Sequence, residues 1–168
     1  MRILVTAASK HGATSGIAAA IGDVLHDAGH EVHVAPPDDV PSIDQYDAVV
    51  LGSGVYAGRW LGPANAFAVR FDAALKSRPL WLFSSGPIGD EAKPVEAPAD
   101  ALALLATLEA RGHRLFAGRL VKEELGFVER GVIAVVRAPL GDFRDWRAIA
   151  GWAVEIAAAL ERMSPVPA

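Results

Sequence analysis

The sequence predicts a doubly wound α/β fold: a five-stranded parallel sheet with helices on both faces. Two observations carry this prediction. Short apolar runs of high β propensity alternate along the chain with segments of helical period, and the loops leaving the first, third and fourth runs are rich in glycine, serine and threonine. Such alternation implies right-handed crossovers between parallel strands, and ligands of these sheets lie beyond the strands' carboxyl ends.

The first strand is the apolar run that opens at Arg2 and ends at Ser9. The helical period of Ile17, Ala18, Ile21, Val24 and Leu25 follows at once, and Ala28-Gly29-His30 supplies its stop. Glu31 to Ala35 alternates as a second strand, and Pro36 to Pro41 is turn-rich. Asp47 to Gly52 is the third strand, apolar on both faces as a buried parallel strand requires. A glycine-rich loop runs from Gly52 to Trp60, and a helix is expected from Pro63 to Lys76 with Ala64, Phe67, Phe71, Ala74 and Leu75 on its inner stripe.

Pro79 to Ser85 is the fourth strand, closed by Gly86-Pro87-Ile88-Gly89-Asp90. A helix from Ala99 to Arg111 and a fifth strand from His113 to Gly118 complete the sheet. Between Lys122 and Arg137, Val132 to Val136 has strand propensity, while Leu125, Val128, Val132, Val135 and Val136 recur at helical spacing; a helix is the expectation. Asp142 is expected to cap the final helix, with Asp145 in its first turn and Trp146, Ile149, Ala150, Ala153, Ile156, Ala157 and Leu160 on its buried stripe. Residues 1–163 read as one domain and 164–168 as a disordered tail.

Composition narrows the function. A net charge of −4 over 168 residues argues against a general nucleic-acid binder, and the absence of cysteine removes disulfides, thiolate catalysis and iron–sulfur sites. His11, His26, His30, His33 and His113 show no ligand spacing with carboxylates, so no metal is expected. No G-x-S-x-G elbow occurs, and the strand ends Ala7-Ala8-Ser9 and Gly52-Ser53-Gly54 lack the acids of a phosphate-accepting receiver domain. The opening Met1-Arg2 leads into a strand with no signal-like apolar stretch, and no run of apolar residues is long enough to span a bilayer, so a cytoplasmic location is expected.

The sequence Ser9-Lys10-His11-Gly12-Ala13-Thr14 forms an anion-binding loop. Ser9 and Thr14 can donate hydroxyl hydrogen bonds, Gly12 admits close backbone approach, and the helix that follows aims free N–H groups at the loop. A phosphate monoester suits it, although small and hydroxyl residues also start helices as plain caps. The segments Ser53-Gly54-Val55-Tyr56-Ala57-Gly58 and Ser84-Ser85-Gly86-Pro87 offer backbone donors and acceptors to the edge of a planar polar ring such as isoalloxazine. Tyr56 is the first candidate to cover a ring face, with Trp60 second. Gly52 and Gly54 either permit a tight turn or let a peptide flip beside a reduced ring.

These three motifs resemble the flavodoxin-like family across nearly the whole chain. Within that family they are similar to the branch of the menaquinone-dependent protoporphyrinogen IX dehydrogenases, whose characteristic insertion residues 119–141 match in position and character. The resemblance implies FMN as cofactor, bound by residues 9–14, 53–58 and 84–87, and an oxidoreductase that oxidises protoporphyrinogen IX with a quinone acceptor. The alternative is an electron carrier with no small-molecule substrate. The chain departs from the family in having His11 where a second hydroxyl residue is common, no Tyr or Trp in residues 84–94, and basic Arg59 and Lys93 in these loops. The last two features favour an open ring face that receives a substrate.

Segment 119–141 is expected to dock an apolar substrate, a quinone or the membrane face that holds it, through Leu125, Phe127, Val128, Val132, Ile133, Val135 and Val136. Arg119, Lys122, Arg130, Arg137, Arg144 and Arg147 would surround this surface with charge suited to anionic groups. The competing reading is that the segment packs its apolar side on the sheet as an extra helix.

Overall fold

A computed structural model describes residues 1–86, 96–121, 126–127, 129–131 and 140–163. The parallel strands are β1 (Arg2–Ala8), β2 (Glu31–Ala35), β3 (Ala48–Tyr56), β5 (Leu80–Ser85) and β6 (Gly112–Phe116), in the spatial order β2-β1-β3-β5-β6. The helices are α1 (Ala13–Asp27), α2 (Gly62–Arg70), α3 (Asp72–Lys76), α4 (Ala99–Thr107) and α5 (Trp146–Met163). The expected doubly wound architecture is present.

Alternation along β1 builds both layers. Ile3, Val5 and Ala7 join α1 and α5 in one core, with Ile17, Ile21, Leu25, Ile149, Ile156 and Leu160. Leu4 and Ala8 face the opposite core, where Leu51, Leu82, Phe67, Leu75 and Ala101 pack. Phe83, Phe116 and Trp152 close the first core edge to face, Phe116 and Trp152 having ring centroids 5.6 Å apart. Helix α1 stops where expected: Gly29, at φ +90°, turns the chain while its N–H donates to the His26 carbonyl at 2.8 Å.

The structure corrects several boundaries. The third strand runs past Gly52 to Tyr56 and folds back on β4 (Arg59–Trp60), with Val55 opposite Trp60 and Tyr56 opposite Arg59. Ala57 and Gly58 both have positive φ, the geometry of a tight type I′ hairpin, so the expected loop is largely a ribbon. The helix expected over 63–76 breaks at Phe71, whose φ of −111° and ψ of 21° leave the helical region. There Arg70 donates to the Val40 carbonyl at 2.8 Å and lies 4.5 Å from the Phe71 ring centroid. Helix α4 ends at Thr107 rather than Arg111 because Glu109 takes φ 52° and the Arg111 N–H already donates to the Leu80 carbonyl at the sheet.

Two further strands, β7 (Arg119–Leu120) and β8 (Gly141–Asp142), pair antiparallel in a ribbon that the sequence reading did not anticipate. Asp145, not Asp142, caps α5: its Oδ1 accepts the Ala148 N–H at 2.9 Å. Trp146 is exposed and Trp152 is buried in its place, because the stripe facing α1 runs through Ile149, Trp152, Ala153 and Ile156. The expected helix over 122–137 lies mostly outside the described residues, though 127 and 129–131 are helical; Pro87 and the tail 164–168 also lie outside them.

Gly52 has a packing role. A Cβ there would meet Phe83 Cζ at 2.1 Å, and Phe83 is fully buried against Phe116 and Trp152. Gly52→Ala should therefore destabilise the fold by roughly 1–3 kcal/mol, as overpacked cores do. Urea unfolding measures this, and a midpoint equal to that of the parent would show that the ring can move aside.

Candidate functional site

The first crossover leaves β1 toward β2 on one side, and the next strand, β3, lies on the other side of β1. A crevice opens at such a reversal, beyond the carboxyl ends of β1 and β3. The loop that follows β1 enters it. Gly12, at φ +78°, precedes α1, and nothing lies within 4 Å of the place a Cβ would take there. No side chain caps the first turn of α1 and no acidic residue stands in it, so its N–H groups and positive dipole end remain available to an anion.

Thr14 is buried at the seam between the two strand ends, its Oγ1 3.1 Å from where a Cβ on Gly54 would stand. Absence of a side chain at Gly54 is what lets the two loops approach. Ala13 is also buried, whereas Ser9 is half-buried and Lys10 exposed. On the hairpin, Val55 is half-buried, and Ala57 and Gly58 are exposed at the turn. Gly86, at φ +82°, donates its N–H to the Phe116 carbonyl at 2.9 Å and so ends β5 against β6.

Three side chains singled out from the sequence are committed inside the protein. Ser53 Oγ donates to the Gly54 carbonyl at 2.8 Å and accepts the Leu61 N–H at 2.9 Å. Ser84 Oγ accepts from Trp60 Nε1 at 2.7 Å and lies 2.8 Å from His113 Nε2, a ring that burial holds below its ordinary pKa. Trp60 is buried in this network and is not available to stack on a ligand. Ser53 and Ser84 therefore offer a ligand their backbone only. Tyr56 is 40% exposed, with Lys10 Nζ 4.2 Å from its ring centroid.

Residues that the sequence reading placed elsewhere complete the site. Arg119 donates to the His11 carbonyl at 3.4 Å and Arg144 to the Ala13 carbonyl at 3.4 Å, so the β7–β8 ribbon braces the loop after β1 from outside. These two arginines, expected to surround an apolar docking surface, each donate to a backbone carbonyl at the start of the β1–α1 connection and of α1. Arg144 also grips Asp142, its Nε 2.8 Å from Oδ1, and lies 4.4 Å from the Trp146 ring centroid. From the same segment comes Glu129, which accepts from Lys10 Nζ and Tyr56 Oη and lies 3.3 Å from His11 Nε2. Lys10, then Tyr56, then the Gly126 N–H hold the Glu129 carboxyl well below the usual carboxylate range. Phe127 is exposed, while Leu125, Val128, Val132, Ile133, Val135, Val136, Lys122 and Arg137 lie outside the described residues.

A model of the flavodoxin domain matches residues 4–146, which takes in the segments that follow β1, β3 and β5 and the ribbon. The chain belongs to the flavodoxin domain family. Among solved structures, an archaeal flavodoxin superposes with a TM-score of 0.67 at 16% identity, over 96% of this chain and 99% of that one. Flavodoxin 1 of Bacillus cereus gives 0.60 at 18% identity over 94% and 98%. The flavodiiron core Flv1 of Synechocystis gives 0.69 at 15% identity, covering 98% of this chain but 37% of that one. At these identities the structures testify to the fold. No curated protein matches.

Flavodoxins bind FMN, and this crevice fits it. The uncapped helix end behind Gly12 suits a phosphate, and the open glycines and exposed Tyr56 suit a flat ring. The chain is thus a flavodoxin-type electron-transfer domain. No described helix is long and apolar enough to cross a membrane, and the described residues contain no cluster that could hold a metal ion.

The brace has a titration signature. Arg144 holds the Asp142 carboxyl at about 2, below its ordinary 3.8. A carboxyl depressed on folding contributes stability that is present above its unfolded value and lost as pH falls toward the folded one. Arg144→Gln should return Asp142 to the ordinary carboxylate range in an NMR titration and flatten the fall of stability between pH 3.8 and about 2. An unchanged Asp142 titration would remove Arg144 as its cause.

Proposed function

We propose that this chain is an FMN-dependent oxidoreductase that takes electrons from an apolar aromatic substrate, with protoporphyrinogen IX as the donor and a quinone as the acceptor. The observation that carries FMN binding is the uncapped N-terminus of α1 behind Gly12, with Thr14 set against Gly54. In this reading the N–H groups of residues 12–14 and the hydroxyls of Ser9 and Thr14 hold the phosphate. The backbone of 53–58 and 84–87 lines the ring edge, and Tyr56 covers one ring face. The bound flavin supplies the redox chemistry, accepting hydride equivalents from one partner and passing them to another.

A small-molecule substrate is supported by Lys10 and Arg59 in the segments after β1 and β3 and by the absence of Tyr and Trp from residues 84–94. The likeness to flavodoxins over almost their whole length supports the second reading, a carrier that passes electrons between proteins. The assay that separates them is anaerobic incubation of the FMN-loaded protein with protoporphyrinogen IX and a menaquinone analogue, followed by porphyrin fluorescence. FMN-dependent porphyrin formation is expected. Its absence, with rapid reduction of a protein acceptor such as cytochrome c, would establish the carrier.

Thr14→Val keeps side-chain shape and removes the hydroxyl. It should weaken FMN by roughly 1.5–3 kcal/mol, about tenfold to hundredfold, and riboflavin, which lacks the phosphate, should be indifferent to the change. Flavin titration reads both affinities, and equal losses for the two flavins would place Thr14 away from the phosphate. Tyr56→Ala should relieve quenching of flavin fluorescence and cost about 1–3 kcal/mol of affinity, the scale of aromatic stacking on a base.

A further inference from the structure

Beyond Gly54, which stands opposite Ser85 on β5, the third strand leaves the sheet and pairs with β4, Val55 with Trp60 and Tyr56 with Arg59. A ribbon of two residue pairs does not hold its own place in water. Trp60 fixes it, because all three polar groups of that residue bond elements outside the ribbon. Its N–H donates to Asp100 Oδ2 on α4 at 3.1 Å, its carbonyl accepts from Asn65 Nδ2 on α2 at 3.4 Å, and its indole Nε1 donates to Ser84 Oγ on β5 at 2.7 Å. Trp60 is buried and Ser84 fully so, which makes the indole bond the one shielded from water.

The direction of the next bond follows from what each group can give. An indole N–H only donates, so Ser84 Oγ accepts from it and keeps its single hydrogen for another partner. His113 Nε2 lies 2.8 Å from the same oxygen. His113 stands opposite Leu82 on β5 and reaches Ser84 along the diagonal of the strand pair. Burial lowers its pKa, which keeps the ring uncharged at neutral pH. With its hydrogen on Nδ1, the ring offers Nε2 as the acceptor that the hydroxyl needs. With the hydrogen on Nε2, Ser84 would receive two donors, and its own hydrogen would have no third partner among the described residues.

We propose that His113 is a positioning residue of the cofactor site: as the last acceptor in a relay from Trp60 Nε1–H through the Ser84 hydroxyl to Nε2, it holds the β3–β4 ribbon where that ribbon meets the FMN ring. The inference rests on the reading of residues 53–58 as the lining of the ring edge. His113 acts through Ser84 and Trp60, so its loss reaches the ring without altering a group that lines it. A ribbon set free must be ordered again when the ring binds, and that ordering weakens affinity. The phosphate, bound at the far end of the flavin's side chain, does not enter this balance.

Titration of the full chain with FMN and with riboflavin is the test. His113→Phe keeps a ring in place and removes the acceptor; it should weaken both flavins by the same factor, about fivefold, the scale of one buried hydrogen bond. His113→Gln, whose side-chain oxygen can accept where Nε2 stood, should restore most of the loss. Ser84→Ala cuts the relay by itself and should weaken both flavins alike, which keeps the test decisive if Phe does not fit at 113. Adding His113→Phe to Ser84→Ala should then change affinity no further. Nitrogen NMR of the parent should find the His113 hydrogen on Nδ1. Parent-like affinity in His113→Phe and Ser84→Ala, a Gln variant as weak as the Phe variant, or a hydrogen on Nε2 would overturn the relay. Tyr56→Ala separates it from the reading beneath: no effect there on either flavin removes the ribbon from the site and the relay with it. Weakening by Tyr56→Ala with none by His113→Phe removes the relay alone.

Discussion

Between β1 and β3 the chain departs to opposite sides of the sheet, and the two strand ends can share a ligand only if nothing fills the space where they meet. Two missing side chains keep that space. Gly52 makes room for the buried Phe83 ring one layer below, and Gly54 lets Thr14 come to the seam. The first glycine belongs to packing and the second to the site, so the aromatic cluster of Phe83, Phe116 and Trp152 and the loop geometry above it depend on one another through a single strand.

The segment after β6 is tied to the same place. Its beginning and end form the β7–β8 ribbon, from which Arg119 and Arg144 reach carbonyls of the loop after β1, while Glu129 between them reaches Lys10 and Tyr56. These contacts give the His11 and Ala13 carbonyls side-chain donors, while the first turn of α1 has no side-chain cap. A segment that composition marks as a docking surface therefore also touches the loop after β1 and the end of β3 through Arg119, Glu129 and Arg144.

Much of the site was legible because its signals are local. Gly12 before the period of α1 marks a helix start that needs a positive φ, and Gly29 marks its end for the same reason; the structure shows φ of +78° and +90° there. Ser53, Ser84 and Trp60 show where local reading stops. A serine at a strand end looks equally suited to a ligand and to the interior, and only the neighbouring strands and α2 decide that Ser53 bonds Leu61 and Ser84 bonds Trp60 and His113. The hairpin at Ala57-Gly58 was hidden because alanine at φ 49° carries no sequence signal, and the ribbon pairing holds it there.

By itself the sequence determined the alternation of strands and helices, the apolar faces that sort them into two layers, and the glycines that open the loops. Those features follow from periodicity and backbone freedom, which act over a few residues. Tertiary structure decided which tryptophan of α5 is buried, which aspartate caps it, and that Glu129, 119 residues after Lys10, meets Lys10 and Tyr56 at the mouth of the crevice. Such choices depend on what the opposing element presents across the gap, and no window of sequence contains both partners.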